Sequence, residues 1–229
     1  MGIFDIFKKR PKLPEKPFQP IKIETTDKGS FDDFYKSMLS KSLIILITGK
    51  RGSGKSALGM SLLETIARNT KRRCYALGYD MAKLPKWIKK IENLEDVPEN
   101  SVALVDEGAI VFFSREAMKE PNKVLSKIMA IARHKNLSLI LIAQSSAMID
   151  LNVIRLADVI MLKEPSLLQA KFERKAIREM YEKVEPLFKK VTEREKYFYV
   201  WSDDFEGMAS FDLPTFWSEG ISKAFKKIK

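Results

Sequence analysis

The sequence predicts an α/β protein with a mostly parallel central sheet flanked by helices, an extended N-terminal arm, and a C-terminal hairpin and helix. Short runs of apolar, often β-branched residues recur along the chain, as in strands buried on both faces. A glycine-rich loop connects the first run to a segment whose apolar residues have helical spacing. Two later runs end in acidic or amide side chains, and parallel sheets bind ligands where their strands end.

Length and composition indicate one folded α/β domain with extensions. The chain has 229 residues, of which 45% are hydrophobic. Its longest apolar runs fall well short of the roughly 18–20 residues that a membrane span needs. The only cysteine, Cys74, excludes an internal disulfide and suits a reducing cytoplasm.

The formal net charge of +11 indicates an anionic polymer as partner, most often nucleic acid. A basic surface that is merely solvated is the alternative explanation. Charge alone does not distinguish DNA, RNA and an anionic membrane face.

Residues 1–29 are expected to form an arm, and residues 30–229 a single domain. Met1–Arg10 places apolar residues ahead of three basic ones. This pattern is typical of an amphipathic helix at a membrane or partner surface, or of a leader that packs on its own domain. Pro11–Lys28 contains four prolines and predicts an extended segment, which in an oligomer could lie on a neighbour. Ser30, followed closely by two acidic residues, predicts a helix that runs to about Leu39.

The glycine-rich loop Gly49–Ser56 has the pattern G-x-x-x-x-G-K-S between a predicted strand and a predicted helix. Its glycines let successive backbone N–H groups point at a phosphate, and the following helix adds the positive end of its dipole. Lys55 is expected to reach the β- and γ-phosphates of ATP, and the Ser56 hydroxyl to ligate Mg²⁺. The residues expected to contact the nucleotide are Gly49, Lys50, Arg51, Gly52, Ser53, Gly54, Lys55, Ser56 and Ala57.

The run Ser101–Val105 predicts a buried strand that ends in two acidic residues. Asp106 is expected to hold Mg²⁺ through its water shell, and Glu107 to orient or deprotonate the attacking water. Small-molecule kinases do not need the second acid. Hydrolases with an added strand between the P-loop strand and the aspartate strand do use it. An ordinary strand exit with two surface acids is the alternative.

Leu137–Ala143 predicts another buried strand, and Gln144 follows its last residue. An amide at this position can contact the γ-phosphate and the lytic water together, and so report the nucleotide state. A glutamine that only caps a loop is the alternative.

Periodicity and turn residues predict the remaining elements. Asp80–Asn93 is expected to be an irregular helical segment, and Asp203–Gly207 the turn of a late hairpin. The other predicted helices are Val124–Lys135, Asp150–Leu156, Pro165–Val191, which Pro186 can break, and Pro214–Phe225. The other predicted strands are Cys74–Leu77, Val159–Leu162, Tyr197–Trp201 and Met208–Phe211.

With these motifs in this order, the chain resembles the FtsK/HerA superfamily of DNA-pumping ATPases. It is most similar to the compact ATPases that package the genomes of membrane-containing viruses, and to the ATPase domain of zonular-occludens-toxin-like phage proteins. The resemblance covers Leu43–Leu162, and its more specific parts are Ala132–Gln144 and Ile149–Arg155. It implies a RecA-like domain in a homo-oligomeric ring, usually a hexamer, with ATP at each subunit interface.

The resemblance also implies roles for individual residues. Arg133 matches an arginine that acts on the nucleotide of a neighbouring subunit, and Arg155 is a second candidate; a charge at a helix end is the alternative for both. A guanidinium suits the charge that develops on the γ-phosphoryl oxygens, and such a residue is worth about 10³–10⁵ in rate. Arg115, Lys119 and Lys123 are the expected pore contacts to DNA, made to phosphates without regard to sequence.

The sequence therefore predicts an ATPase that moves double-stranded DNA, most simply as a viral genome-packaging motor docked on a capsid or a membrane-associated protein. Its expected location is the cytoplasm, or the host cytoplasm and the virion if the source is a virus. Two other interpretations stay open. One is a P-loop kinase or transferase, and the other is a nucleotide-dependent switch or scaffold at a membrane that uses Met1–Arg10.

Overall fold

The computed structural model describes residues 18, 21–79, 82–106, 129–143, 151–166, 175–218 and 220–221. Five of the candidate residues lie outside these ranges: Glu107, Arg115, Lys119, Lys123 and Gln144. Within the described ranges, no helix is both long enough and apolar enough to cross a bilayer.

Strands and helices alternate through the described part of the chain. The strands are β1 (Lys22–Ile23), β2 (Lys28–Gly29), β3 (Ile44–Thr48), β4 (Cys74–Leu77), β5 (Ile88–Ile91), β6 (Val102–Val105), β7 (Ser138–Ala143), β8 (Val159–Leu162), β9 (Tyr197–Ser202) and β10 (Phe205–Ser210). The helices with described bounds are α1 (Phe31–Ser40), α2 (Lys55–Asn69), α3 (Leu151–Leu156) and α4 (Lys175–Lys189). Residues 129–134 are also helical.

These strands form a single sheet in the order β1-β10-β9-β8-β3-β7-β6-β4-β5, and β2 also pairs with β10. The strands from β8 to β5 run parallel, whereas β9, β10 and the short N-terminal strands are antiparallel. β7 lies between β3, which leads into the glycine-rich loop, and β6, which ends before Asp106. The loop and Asp106 therefore lie on the same side of the sheet, where the parallel strands have their carboxyl ends.

Alternate residues of β3 pack on opposite faces of the sheet. Ile45 and Ile47 contact the cluster that includes α1 and α2, whereas Ile44 and Leu46 lie in the cluster beneath residues 129–134. A third cluster packs α4 against β8, β9 and β10. Because both faces are covered, the central parallel strands β3, β4, β6, β7 and β8 are largely apolar, which explains the unbroken runs in the sequence.

Helix α2 lies unusually close to the sheet. A Cβ atom added to Gly59 would lie 2.7 Å from Leu104 Cδ1 and 3.1 Å from Ile142 Cδ1. The glycine therefore lets the helix that follows the loop pack directly over β6 and β7.

Most predicted elements are confirmed, but the prediction of an irregular helix over Asp80–Asn93 is wrong. Its described part contains β5, which pairs in parallel with β4. Ile88 is buried, while Lys89 and Lys90 are exposed on a strand at the sheet edge. Charged residues are common on edge strands because they discourage pairing with other chains, and here they hide the alternation that marks a strand.

Three C-terminal predictions are corrected. The turn between β9 and β10 has two residues instead of five, because the buried Phe205 already belongs to β10. Pro186 lies inside α4 and does not break it, although residues 163–166 are not helical. Residues 214–218 are also not helical, and the Trp217 N–H donates to the carbonyl of Pro214 in a turn.

The described part of the N-terminal arm lies on its own chain. Lys22 pairs with Ser210 and Lys28 with Glu206, so β1 and β2 extend the sheet along β10. The Tyr199 hydroxyl also donates to the carboxylate of Asp27, over 2.7 Å. Residues 21–29 are therefore held on the same sheet as the rest of the chain.

Candidate active site

The glycine-rich loop joins the carboxyl end of β3 to α2, as predicted. Gly52 and Gly54 have φ angles of 79° and 86°, in the left-handed region that glycine adopts without strain. Gly54 is the N-cap of the 15-residue helix α2. The loop therefore ends where unpaired backbone N–H groups and the helix dipole attract anions.

Two polar side chains of the loop are buried beside this helix terminus. The Lys55 ammonium donates to the carbonyl oxygens of Gly49 and Lys50, over 2.8 Å and 2.9 Å. Phosphate oxygens are stronger acceptors than neutral carbonyls, so the ammonium can shift to a bound phosphate. The Ser53 hydroxyl is buried and makes no hydrogen bond to the described residues. Both side chains fit a loop that binds the phosphates of a nucleotide.

The structure brings Ser56 and Asp106 together across 50 residues of sequence. Their Oγ and Oδ2 atoms lie 3.4 Å apart, and Asp106 is 7% exposed. A hydroxyl and a carboxylate are the hard oxygen ligands that Mg²⁺ prefers, and both lie where the loop meets the carboxyl end of β6. The predicted magnesium ligands therefore fit this ion.

Tyr79 is a site residue that the sequence analysis missed. Its hydroxyl donates to Asp106 Oδ2 over 3.1 Å, and the side chain is fully buried. Burial, reinforced by the neighbouring carboxylate, raises the pKa of Tyr79 well above its ordinary value, so the hydroxyl keeps its proton. The sequence carried one signal for Tyr79, because this polar residue closely follows the predicted strand Cys74–Leu77. Only the sheet order shows that this strand lies next to β6.

The two candidate trans-acting arginines do not lie at the carboxyl ends of the parallel strands. Arg133 is exposed in the last turn of the helix at residues 129–134, which leads into the amino end of β7. Arg155 is exposed in the last turn of α3, just before the amino end of β8. Neither side chain forms a hydrogen bond or ion pair within the described ranges. The glycine-rich loop lies at the opposite, carboxyl ends of the parallel strands. The role of either arginine at the nucleotide of a neighbouring subunit stays a prediction.

Glu107 and Gln144 have chain neighbours at the site, although they themselves lie outside the described residues. Asp106 precedes Glu107, and Ala143, the last residue of β7, precedes Gln144. The chain enters both positions from the carboxyl ends of adjacent strands. Their catalytic and sensing roles stay predictions.

The comparison with protein families gives a match to the model described as novel STAND NTPase 3, over residues 28–151. The chain belongs to this family. It is therefore a P-loop NTPase, in agreement with the loop geometry. No curated protein sequence matches the chain.

Solved structures of similar fold include three nucleotide-handling proteins. The genome packaging NTPase B204 from Sulfolobus turreted icosahedral virus 2, in complex with ATP-gammaS, has a TM-score of 0.52 at 15% identity, covering 75% of this chain and 98% of that one. The pCW3 conjugation coupling protein TcpA, in a monomer form with ATPgS, has a TM-score of 0.58 at 14% identity, covering 97% and 73%. EccC (ATPases 2 and 3) from Thermomonospora curvata, in complex with a signal sequence peptide, has a TM-score of 0.51 at 11% identity, covering 80% and 41%.

At these identities the likeness concerns the fold. It confirms the expected RecA-like α/β architecture of a P-loop NTPase. It also agrees with the resemblance to ATPases of the FtsK/HerA type that the motifs indicated. The novel STAND NTPase 3 family and this fold together support nucleotide binding and hydrolysis.

Proposed function

We propose that the chain hydrolyses ATP and uses the energy to translocate double-stranded DNA, most simply as a genome-packaging motor. The observation that carries the hydrolytic part is the position of β7 between β3 and β6. Hydrolases with this added strand use an acid after the magnesium aspartate, and Glu107 follows Asp106 in this chain. This arrangement argues against a small-molecule kinase or transferase.

The loop and the residues that follow β6 and β7 have different roles in the proposed hydrolysis. Gly49–Ser56 binds the phosphates, with Mg²⁺ held by Ser56 directly and by Asp106 through water. When bound there, the ion would supply positive charge that offsets the charge of the β- and γ-phosphates. Glu107 deprotonates or orients the attacking water, and Gln144 contacts the γ-phosphate and that water.

Three observations support DNA as the substrate that is moved. The net charge of +11 favours an anionic polymer. Two proteins of similar fold are, by their descriptions, a genome packaging NTPase and a conjugation coupling protein. Basic residues adjoin the active-site strands in sequence, and we assign the pore contacts to Arg115, Lys119 and Lys123. We further propose that the chain assembles into a homo-oligomeric ring, which the resemblance implies is a hexamer. This ring would work in the cytoplasm, docked on a capsid or on a membrane-associated protein.

The test is the steady-state ATPase rate of the full chain with and without long linear double-stranded DNA, at two salt concentrations. We expect DNA to raise the rate and salt to weaken that effect, because phosphate contacts release counterions. Lys55→Ala serves as the blank. Glu107→Gln should still bind ATP while its turnover falls by about 10²–10⁴, the usual contribution of a general base.

Heparin at matched charge is the control for a general response to polyanions. Equal rates with DNA, with heparin and with neither would contradict translocation of DNA. Tight ATP binding with negligible turnover in every condition would instead favour the nucleotide-dependent switch. Retained turnover in Glu107→Gln would reject Glu107 as the catalytic carboxylate.

A further inference from the structure

A charged segment lies against the glycine-rich loop on the side of β8. Lys163 and Glu164 directly follow β8, and Arg194–Lys196 forms a 3₁₀ turn just before β9. A Cβ on Gly49 would lie 2.7 Å from Lys163 Cβ, and a Cβ on Gly54 would lie 2.8 Å from the carbonyl oxygen of Glu195. Both ends of the loop therefore contact the β8–β9 connection.

Lys163 fixes the 3₁₀ turn in this position. Its side chain is completely buried, and its ammonium donates to the carbonyl oxygens of Glu195 and Tyr197, each over 2.6 Å. It also lies 4.7 Å from the centre of the Phe211 ring. Burial lowers the pKa of this lysine well below its ordinary value. The turn that carries Arg194 is thus held beside the loop by a side chain anchored in the core.

Glu164 links the turn to the loop. One carboxylate oxygen lies 2.6 Å from the ammonium of Lys50, and the other accepts a hydrogen bond of 2.9 Å from Arg194. The Lys50 N–H also donates to the Glu164 carbonyl, over 3.0 Å. Burial raises the pKa of Glu164, but the hydrogen bonds from the two cations outweigh this and lower it overall, so the carboxylate is ionised at neutral pH.

Lys50, Glu164 and Arg194 together carry two positive charges and one negative charge beside the phosphate-binding loop. Both cations remain partly accessible to solvent, since the side chains of Lys50 and Arg194 are 39% and 42% exposed. A nucleotide phosphate carries more charge than one carboxylate and accepts the same hydrogen bonds. The cations can therefore exchange one anionic partner for the other.

We propose that Arg194, together with Lys50, contacts the phosphates of the bound nucleotide, and that Glu164 competes for both cations and so limits nucleotide affinity. This inference rests on the nucleotide-binding part of the proposed function and is independent of DNA. It assigns a phosphate contact to the β8–β9 connection, 138 residues beyond Ser56 (194 − 56).

The two roles that Glu164 could have differ in the sign of their effect. As a competitor, its charge opposes the binding of an anion, so Glu164→Gln, which keeps the shape and an acceptor oxygen, strengthens nucleotide binding. If Glu164 instead only stabilises the conformation of the loop, the same substitution weakens nucleotide binding. The direction of the change therefore decides between the two roles.

The test is the dissociation constant of ATP-gammaS with Mg²⁺, measured by isothermal titration calorimetry on the full chain without DNA at low and high salt. Arg194→Gln should weaken binding by roughly 10- to 150-fold, the range for loss of a charge-assisted hydrogen bond, and Arg194→Lys should recover part of the affinity. Glu164→Gln should tighten binding by roughly two- to tenfold, with the larger effect at low salt.

Matched controls come from the ion pair of Asp33 and Lys36 on α1, whose charged atoms lie 3.7 Å apart. This helix begins beside the β9–β10 turn, at the amino end of β8 and thus opposite the loop. Asp33→Asn and Lys36→Gln make similar charge changes there and should leave the dissociation constant unchanged. Thermal melts of all variants show that each one folds.

Weaker binding in Glu164→Gln, or unchanged binding in Arg194→Gln, would overturn the proposal. If the affinities change as expected while the ATPase ignores DNA, this inference stands and the proposal of DNA translocation fails. If the unmodified chain does not bind ATP-gammaS, both fail.

Discussion

At the scale of single residues, two hydroxyl groups converge on Asp106. Ser56 lies 3.4 Å and the Tyr79 hydroxyl 3.1 Å from the same carboxylate oxygen. A carboxylate that holds a metal through water must keep its orientation, and second partners of this kind commonly provide it. Tyr79 therefore orients Asp106, and through it the proposed magnesium site.

Tyr79→Phe tests this positioning role. Because Asp106 loses one donor while the buried ring remains, we expect the Mg²⁺ concentration for half-maximal ATPase activity to rise about 10- to 100-fold, the usual effect of removing a partner that orients a metal ligand. The rate at saturating Mg²⁺ should change little. Tyr75→Phe is the matched control, because Tyr75 lies on β4, the strand that leads to Tyr79, but packs into the cluster on the other face of the sheet. An equal shift in both variants would contradict the role of Tyr79.

At the scale of elements, the helix that follows the loop is tied to the C-terminal segment. Glu64 of α2 is fully buried, and its carboxylate accepts hydrogen bonds from Arg68 and from both the N–H and the hydroxyl of Thr215. A buried carboxylate is stable only when it is paired in this way. Residues 214–218, which are not helical, are thus linked to α2 by the hydrogen bonds between Thr215 and Glu64.

Thr215→Val should reduce the free energy of unfolding by about 1–3 kcal/mol, because the buried carboxylate of Glu64 loses a donor. Urea denaturation followed by circular dichroism measures this. Thr192→Val makes the same substitution at an exposed position and should change stability by less than about 0.5 kcal/mol. Equal effects of the two substitutions would show that the Thr215 hydroxyl does not stabilise the fold.

At the scale of the whole molecule, the sheet separates the glycine-rich loop from the candidate trans-acting arginine. Arg133 adjoins the amino end of β7, whereas the loop begins at the carboxyl end of β3, which pairs in parallel with β7. A strand of six residues spans about 20 Å, so Arg133 does not reach the loop of its own chain. If it contributes to hydrolysis, a second subunit has to present it.

Mixing Arg133→Ala with Lys55→Ala tests the shared site. Each variant alone should be inactive, but a mixed ring contains interfaces with an intact loop from one subunit and an intact arginine from its neighbour. We therefore expect ATPase activity to pass through a maximum at intermediate ratios. Arg155→Ala in place of Arg133→Ala examines the second candidate in the same way. Absence of recovery at every ratio, with mixed assemblies confirmed by pull-down, would count against shared sites.

The sequence alone determined the features that depend on local conformation. The loop Gly49–Ser56 needs glycines at left-handed positions and a helix after it, so its pattern can be recognised without a structure. The strands that end at Val105 and Ala143 are buried on both faces and therefore appear as short apolar runs. Even so, β5 was missed, because lysines on an edge strand interrupt the expected pattern.

Only the tertiary structure decided which distant residues meet at the site. The insertion of β7 between β3 and β6 depends on strand order, which no local pattern specifies. Tyr79 reaches Asp106 because parallel strands gather their carboxyl ends on one side of the sheet. Arg194 reaches the loop through Glu164 because the antiparallel strand β9 begins beside the carboxyl end of β8. Hydrogen bonds and charge pairs between such residues depend on distance in space, and spacing along the chain carries no information about that distance.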